Sequence, residues 1–582
     1  MRLTLMILFV SLFASAAYAE NASRPQGEPV LEPPTLRSLG VYWKIGGDDN
    51  RNATVESHYR KAGAAEWREM LPLFRAEKGA PERSDKKVGF TVGTPKDGWL
   101  FAGSLLLLEP DTEYEWRLTL KDPDGSESEK LLKARTAAEP QAPKDLKTFH
   151  VIPGEGGGSG TEADPFKGLA TAHAHAEPGT LFLLGAGTYK GVFEVQKSGA
   201  PGKPVIWRGA GMDKTILDAT AGAEKPAGRC ISCGDLNDVW FEDMAVTQAD
   251  YGIVAHRSIR MVMRRLRIQD IEYGITWTNN DKGKVEGFWV LDCVIQGRAT
   301  WPRTKGIEGR RGIQATGRGH VIAYNRIAGF ADAIDTFPSV ECAAIDFHNN
   351  EISEQTDDGI EMDYSFRNTR CFENRFTNVY QGITCQPTFG GPVYIFRNAV
   401  YNLVGEPFKL HNGPSGVLMF HNTFVKNGAC NASYGPFIAN CVSKNNLFIG
   451  TESTYAYETI AECRENDFDY DGYGGGPWRD FLKWNDKRYK TVEEVRATAP
   501  VYKNVRIVTP EKLFASGIKQ PADGKTQFEI AINDLRLKEG SDAIDAGIKL
   551  PGFNDGFNGE APDLGAFELG ATMPHYGTRA SK

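Results

Sequence analysis

Asparagine followed two places later by an apolar residue recurs at Asn325, Asn350, Asn374, Asn398, Asn422 and Asn446, at intervals of 25, 24, 24, 24 and 24 residues. A fixed period in the twenties means that the chain retraces one path, each stretch forming one coil of a solenoid that stacks only on its neighbours. Leucine-rich repeats share the period, but their leucine consensus is absent. Asparagines at one bend are therefore expected to stack rung on rung.

A second register runs through the same coils. Gly-Ile, Ala-Ile or Pro-Phe opens a strand at Gly252, Gly274, Gly312, Ala333, Gly359, Gly382 and Pro407. If the apolar residue after each opener points inward, the next position points outward. That outward ladder reads Gln314, Asp335, Glu361, Thr384 and Lys409. Two places on, a parallel ladder reads Thr316, Phe337, Asp363, Gln386 and His411, and the residues before the openers read Arg311, Asp332, Asp358, Gln381 and Glu406.

Outward polar residues ordinarily make only a solvated sheet face. Here Asp332, Asp335, Asp357, Asp358, Glu361 and Asp363 fall on two successive coils whose strands lie about 4.8 Å apart. Like charges so close repel and raise each other's pKa, so something cationic must offset them, and such clusters are enriched at active sites. Arg311, Lys409 and a metal are the candidates. The 292–325 interval is longer than a coil and leaves room for a loop carrying Arg298, Trp301, Arg303, Lys305, Arg310 and Arg311. Arginines with a tryptophan suit an acidic sugar polymer, since Arg pairs carboxylates bidentately; a plain solvated loop is the alternative. His411 is either an acid or substrate contact beside Lys409 or a surface histidine. His348 and His421, at the asparagine bend, read as structural.

Two chemistries use this inventory. In one, the carboxylates hold Ca²⁺, which needs several oxygen ligands, and a lysine of lowered pKa takes the proton beside a uronate carboxylate, so that the glycosidic oxygen leaves by β-elimination. In the other, two carboxylates hydrolyse the glycoside, and Asp335 and Glu361, one rung apart, match the separation of a retaining pair.

The flanking segments differ in texture. An apolar run from Leu3 to Ala17 follows Arg2 and ends at Ala17-Tyr18-Ala19, the pattern of a cleaved secretory signal over residues 1–19. It predicts a secreted or periplasmic protein with no membrane span after cleavage. Residues 30–138 read as short strands, and Leu108-Glu-Pro-Asp-Thr-Glu-Tyr114 resembles the tyrosine corner of a fibronectin type III sandwich. Residues 139–150 are a linker. Gly154 to Asp218 resembles the N-terminal cap and first coils of the right-handed parallel β-helix of the pectate-lyase-like superfamily. The resemblance implies an all-β chain: a fibronectin-like sandwich, then a right-handed parallel β-helix over 151–570 with a C-terminal capping region.

Thr356-Asp-Asp-Gly-Ile-Glu-Met-Asp363 and Pro407-Phe-Lys-Leu-His-Asn-Gly413 resemble polysaccharide lyase family 9, with Asp332-Ala-Ile334 in place of its upstream ligand strand. The resemblance implies Ca²⁺ held by Asp332, Asp357, Asp358 and Glu361, with Lys409 as base; the ladders themselves add Asp335, Glu361, Arg311 and His411 as further catalytic candidates. Trp301, Arg298, Arg303, Arg310 and Gln386 would meet the polymer. Glu361 stands where the family has aspartate, and a further coil, residues 380–386, places Lys409 two rungs from Glu361. Polygalacturonases of glycoside hydrolase family 28 also place an Asp one coil before an Asp-Asp pair, but their Gly-His-Gly and Arg-Ile-Lys motifs are missing. A non-catalytic polysaccharide-binding module is a third reading. The formal charge of −8 argues against nucleic acid, and a monomer is expected. Nine cysteines, all between Cys230 and Cys463, suit packing or a structural disulfide. Asp467, Asp469 and Asp471 alternate like calcium-loop ligands without the glutamate such loops need. Residues 541–547 and 562–568 read as a closing coil, since solenoid ends need capping.

Overall fold

The computed structural model describes residues 20–76, 95, 97–125, 127–220, 227–277, 284–337 and 341–580. The apolar leader at 1–19 lies outside them. No helix among the described residues is long and apolar enough to cross a membrane.

The period of the asparagines becomes a parallel β-solenoid of about 12 turns. Each full coil supplies three faces, as in the strands Thr369–Phe372 and Arg375–Cys385, the second of which bends to serve two faces before Phe389–Phe396 returns to pair with the first. Inward residues stack in columns: Ile275, Ile313, Ile334, Ile360, Ile383 and Phe408 are paired rung to rung and almost fully buried. The openers explain their own composition. A Cβ at Gly382 would lie 2.3 Å from the carbonyl oxygen of Pro407, the opener of the next coil, so the bend tolerates only the smallest side chain there.

At the other bend the asparagines form one buried chain. Asn374 donates from both its backbone N–H (3.1 Å) and its Nδ2 (3.0 Å) to Asn398 Oδ1, and the same pair of bonds links every rung from Asn325 to Asn446. Asparagine suits this place because one amide both accepts from the rung below and donates to the rung above.

The described strands between Arg24 and Arg135 form an antiparallel, eight-stranded sheet packed around Trp43, Val55, Trp116 and Leu118. The Glu109 N–H donates to the Tyr114 hydroxyl at 3.0 Å. This module lies flat on one solenoid face. Its apolar core is continuous with Phe372, Tyr394, Phe396, Leu418 and Phe420. The contact also buries charge: Arg370 pairs with Asp346, and Asp346 accepts from the hydroxyls of Thr35 (2.6 Å) and Ser38 (3.2 Å).

A second face is covered from the other terminus. The last solenoid strand, Arg506–Val508, pairs with Gly472–Gly474, and the chain then runs back along Ala399, Tyr401, Val425 and Leu447 with Leu513, Phe514, Leu535 and Phe567. The residues read as a closing coil thus strap the flank. The open end is instead plugged by Phe481, Trp484, Tyr489 and the helix Val492–Thr498. At the N-terminal end stands one short helical turn, Leu169–His173.

The nine cysteines form no disulfide, and eight are buried. The Asp467-to-Asp471 alternation is spent on hydrogen bonds and an ion pair: Asp467 meets Lys444, Asp469 accepts from Asn504, and Asp471 accepts from Asn446.

Candidate active site

With two faces covered, the face of the openers carries the carboxylates, and its strands Arg311–Ala315, Asp332–Thr336, Glu351–Glu361, Arg375–Cys385 and Phe408–Leu410 run side by side. Arg311 lies beside Asp332, Asp335 beside Glu361, and Lys409 beside Thr384, two strands from Glu361.

Asp332, Asp357 and Asp358 each bring a carboxylate oxygen within 4.8 Å of the others. Asp332 and Asp358 are fully buried and Asp357 is half-buried. The backbone closes the group: the Asp358 N–H donates to Asp332 Oδ1 at 2.9 Å. Glu361 lies outside this trio. It faces Asp335 across the strand pair, with its Oε2 4.0 Å from Arg311 Nη2.

Two cations answer the charge. Arg311 reaches Asp332 Oδ2 at 2.8 Å and Asp335 Oδ2 at 2.9 Å, and Gln314 Nε2 donates to the same Asp335 oxygen at 3.0 Å. Lys409 Nζ spans the intervening rung to reach Asp358 Oδ2 at 2.9 Å and Oδ1 at 3.3 Å. The extra coil noted in the sequence is therefore bridged by the length of the lysine side chain.

Protonation follows from this crowding. Burial, then the charges of Asp358 and Asp357, raise Asp332 well above the usual carboxylate range despite Arg311. Burial and the charge of Asp332 do the same to Glu361. Burial raises Asp335 against Arg311 and Gln314, and burial with Asp358 raises Asp357. The expectation of a lysine with a lowered pKa is reversed: burial opposes its charge, but Asp358 and Asp357 outweigh it, so Lys409 is held as the ammonium. Arg311 is raised in the same way by Asp332 and Asp335. His411 is the opposite case, pushed down to about 4 by burial and by Lys409; its ring stands edge-on to Tyr434 at 5.3 Å.

The inserted loop is pinned over this face through Thr356, whose hydroxyl donates to the Glu308 carbonyl (2.6 Å) and accepts from the Glu308 N–H (3.0 Å). Its residues divide. Trp301 is 7% exposed and donates its Nε1 to the Thr526 carbonyl at 3.2 Å, so it packs against the C-terminal strap and offers no platform to a sugar. Arg303 lies 4.0 Å over the Tyr380 ring and acts on Asp357. Arg298 pairs with Glu272 at 3.3 Å, away from the trio. Arg310 is exposed, and its carbonyl accepts from Ala331 and Asp332. The Gln386 N–H donates to Asp363 Oδ1 at 2.6 Å. Sequence reasoning did not single out Tyr380 or Thr356, since neither belongs to a ladder; only the loop's path brings them in.

No family model matches the chain, and no curated protein matches it. Among solved structures it is similar to pectate lyase Pel9A, at 16% identity over 73% of this chain and 98% of that chain, with a TM-score of 0.38. The complex of XylC with xylose matches at 11% identity over 74% and 99%, with a TM-score of 0.48. The Family 28 exopolygalacturonase of Yersinia enterocolitica matches at 13% identity over 80% and 100%, with a TM-score of 0.27. At these levels the likenesses assign no activity to this chain.

Proposed function

We propose that the protein is an exported, cation-assisted polysaccharide lyase that cleaves a uronate-containing polymer by β-elimination. The observation that carries this reading is the trio Asp332, Asp357 and Asp358 with Lys409 fastened to its buried member. The donor set fits a hard divalent cation such as Ca²⁺: all donors are carboxylate oxygens, and Asp332 and Asp357 are both raised in pKa by burial and then by the charge of Asp358. A cation on the trio would neutralise Asp358, loosen its hold on the Lys409 proton and acidify the proton beside a substrate carboxylate.

Lys409, once neutral, takes that proton. The electron pair becomes the new carbon–carbon double bond, and the glycosidic C–O bond breaks. Arg311 orients Asp332 and Asp335 by its fork of bonds, the departing oxygen takes up the proton that Lys409 has gained, and the half-buried, neutral His411 stands beside Lys409 as a substrate contact. The secretory leader at 1–19 supports export, and the Tyr114 corner supports a fibronectin type III-like reading of the N-terminal sandwich.

A second reading, hydrolysis, is favoured by one observation. Asp335 and Glu361 face each other on adjacent strands, and both are raised in pKa by burial, as a general acid requires. Ultraviolet absorbance during incubation with a panel of uronate polymers separates the two, because only elimination creates a conjugated double bond. We expect a chelator-sensitive rise that falls by about 100-fold or more in Lys409→Ala. New reducing ends without absorbance, abolished in Glu361→Gln, would replace the lyase by the hydrolase.

A further inference from the structure

The row of residues that carries Arg311, Asp332 and Asp358 extends upstream along the solenoid without a break in register. Arg229 pairs with Tyr251, and Tyr251 with Tyr273. Since Ile275 pairs with Ile313, Tyr273 stands one rung before Arg311 on the same row. The two tyrosine rings are parallel, 4.5 Å apart at a 6° interplanar angle, and both are half-buried.

Their surroundings set what they can bind. Arg229 is exposed beside Tyr251 with Asp250, and the exposed Arg298 pairs with the half-buried Glu272 next to Tyr273. Acid and base are matched, so the patch offers aromatic surface and hydrogen-bond donors, with no excess charge. Arg311, the next residue downstream, is drawn towards Asp332, Asp335 and Glu361, all on rungs further from Tyr273. Trp301, the loop's own aromatic candidate, is occupied in packing.

We infer that Tyr251 and Tyr273 form a sugar-binding subsite for a pyranose unit of the same polymer, two to four rungs, roughly 10–20 Å, upstream of the carboxylate trio. The stacked rings cover each other's facing sides, so the apolar face of a sugar ring lies along their exposed edges, while Arg229 and Arg298 reach its hydroxyl or carboxylate oxygens. A linear chain lying along the solenoid axis then contacts this patch and Lys409 together. The inference rests on the proposed polysaccharide activity for the identity of the ligand, though not on the chemistry of cleavage.

The test combines binding and turnover on the full-length mature protein. The probes are the uronate polymers of the panel and oligosaccharides of increasing length. Binding is read by retardation in polymer-containing gels, which needs no cleavage. We expect Tyr251→Ala/Tyr273→Ala to weaken polymer binding about tenfold. It should raise KM for long oligosaccharides similarly, leave kcat unchanged, and leave the shortest cleaved oligosaccharide unaffected. Tyr273→Phe should keep most of the binding, because the ring is what it supplies. Unchanged polymer affinity in the double variant overturns the subsite. So do equal losses for every chain length, which would mark a structural role, and a wild-type protein that retains no polymer of the panel. Polymer retarded but never cleaved, with retardation lost in the double variant, would overturn the lyase and hydrolase readings while the subsite stands.

Discussion

Asp471 ends the asparagine chain by a change of one atom. It follows Asn446 by one period, and its Oδ1 accepts from the Asn446 N–H (2.8 Å) and Nδ2 (2.9 Å) as an asparagine would. A carboxylate has no N–H to pass on, so the ladder stops there. Burial raises its pKa to about 7, above the usual value of an unfolded aspartate near 4. Between about pH 4 and pH 7 the folded chain therefore keeps a proton that the unfolded chain has released, and stability falls as pH rises through this window. Asp471→Asn should remove that penalty, making the variant more stable than the wild type by about 2–4 kcal/mol at pH 8 and by little at pH 4. Denaturant midpoints at the two pH values check it, and a gain independent of pH would refute it. His320 titrates in the opposite sense. Its Nδ1 accepts from the Phe288 N–H at 3.0 Å, its Nε2 meets the Thr316 carbonyl at 2.8 Å, and burial holds it down at about 4. From about pH 6.5 to pH 4 the unfolded chain binds the proton first, so stability is lost as pH falls through that window, by up to about 3 kcal/mol from this residue. In His320→Asn the acid slope of the unfolding midpoint should flatten.

At the scale of elements, the asparagine ladder ties neighbouring coils at a bend where strand pairing lapses. Asn398→Ala would leave the Asn374 N–H and Nδ2 buried without their acceptor. The expected cost is about 2–4 kcal/mol, measured as a lowered unfolding midpoint. The contact between module and solenoid depends on charge as well as on apolar area. Arg370 and Asp346 are both fully buried. Removing one partner strands the other, so Asp346→Ala should destabilise by about 3–5 kcal/mol, whereas an exposed pair such as Arg257 and Asp235 would contribute well under that.

For the whole molecule, a three-faced solenoid exposes three sheets, and this chain covers two of them with its own ends. The N-terminal module lies on the face of Phe372, Phe396 and Phe420, and the strap after Val508 lies on the face of Tyr401 and Val425. The module therefore belongs to the solenoid's core and is no detached spacer. Deleting residues 20–138 should expose a continuous aromatic strip, and light scattering should then show association of the truncated chain. A monodisperse, fully folded truncation would contradict this arrangement.

The periodic part of this architecture was legible in the sequence because stacking imposes the same demand on every coil. The asparagines, the openers and the inward isoleucines recur at one spacing, and each recurrence named its place in the rung. The carboxylate rows could be read in the same way, since strand alternation is a local rule. Covered faces, the burial of Trp301 and the reversed pKa of Lys409 were not legible. Each depends on contacts between residues far apart in the chain: Trp301 with Thr526, Lys409 with Asp358, Arg370 with Ser104. Sequence alone determined what each coil looks like, because a repeat is a nearest-neighbour structure. Only the tertiary structure decided which face stays open and which charges meet there, because those outcomes depend on where the two non-repetitive ends come to rest.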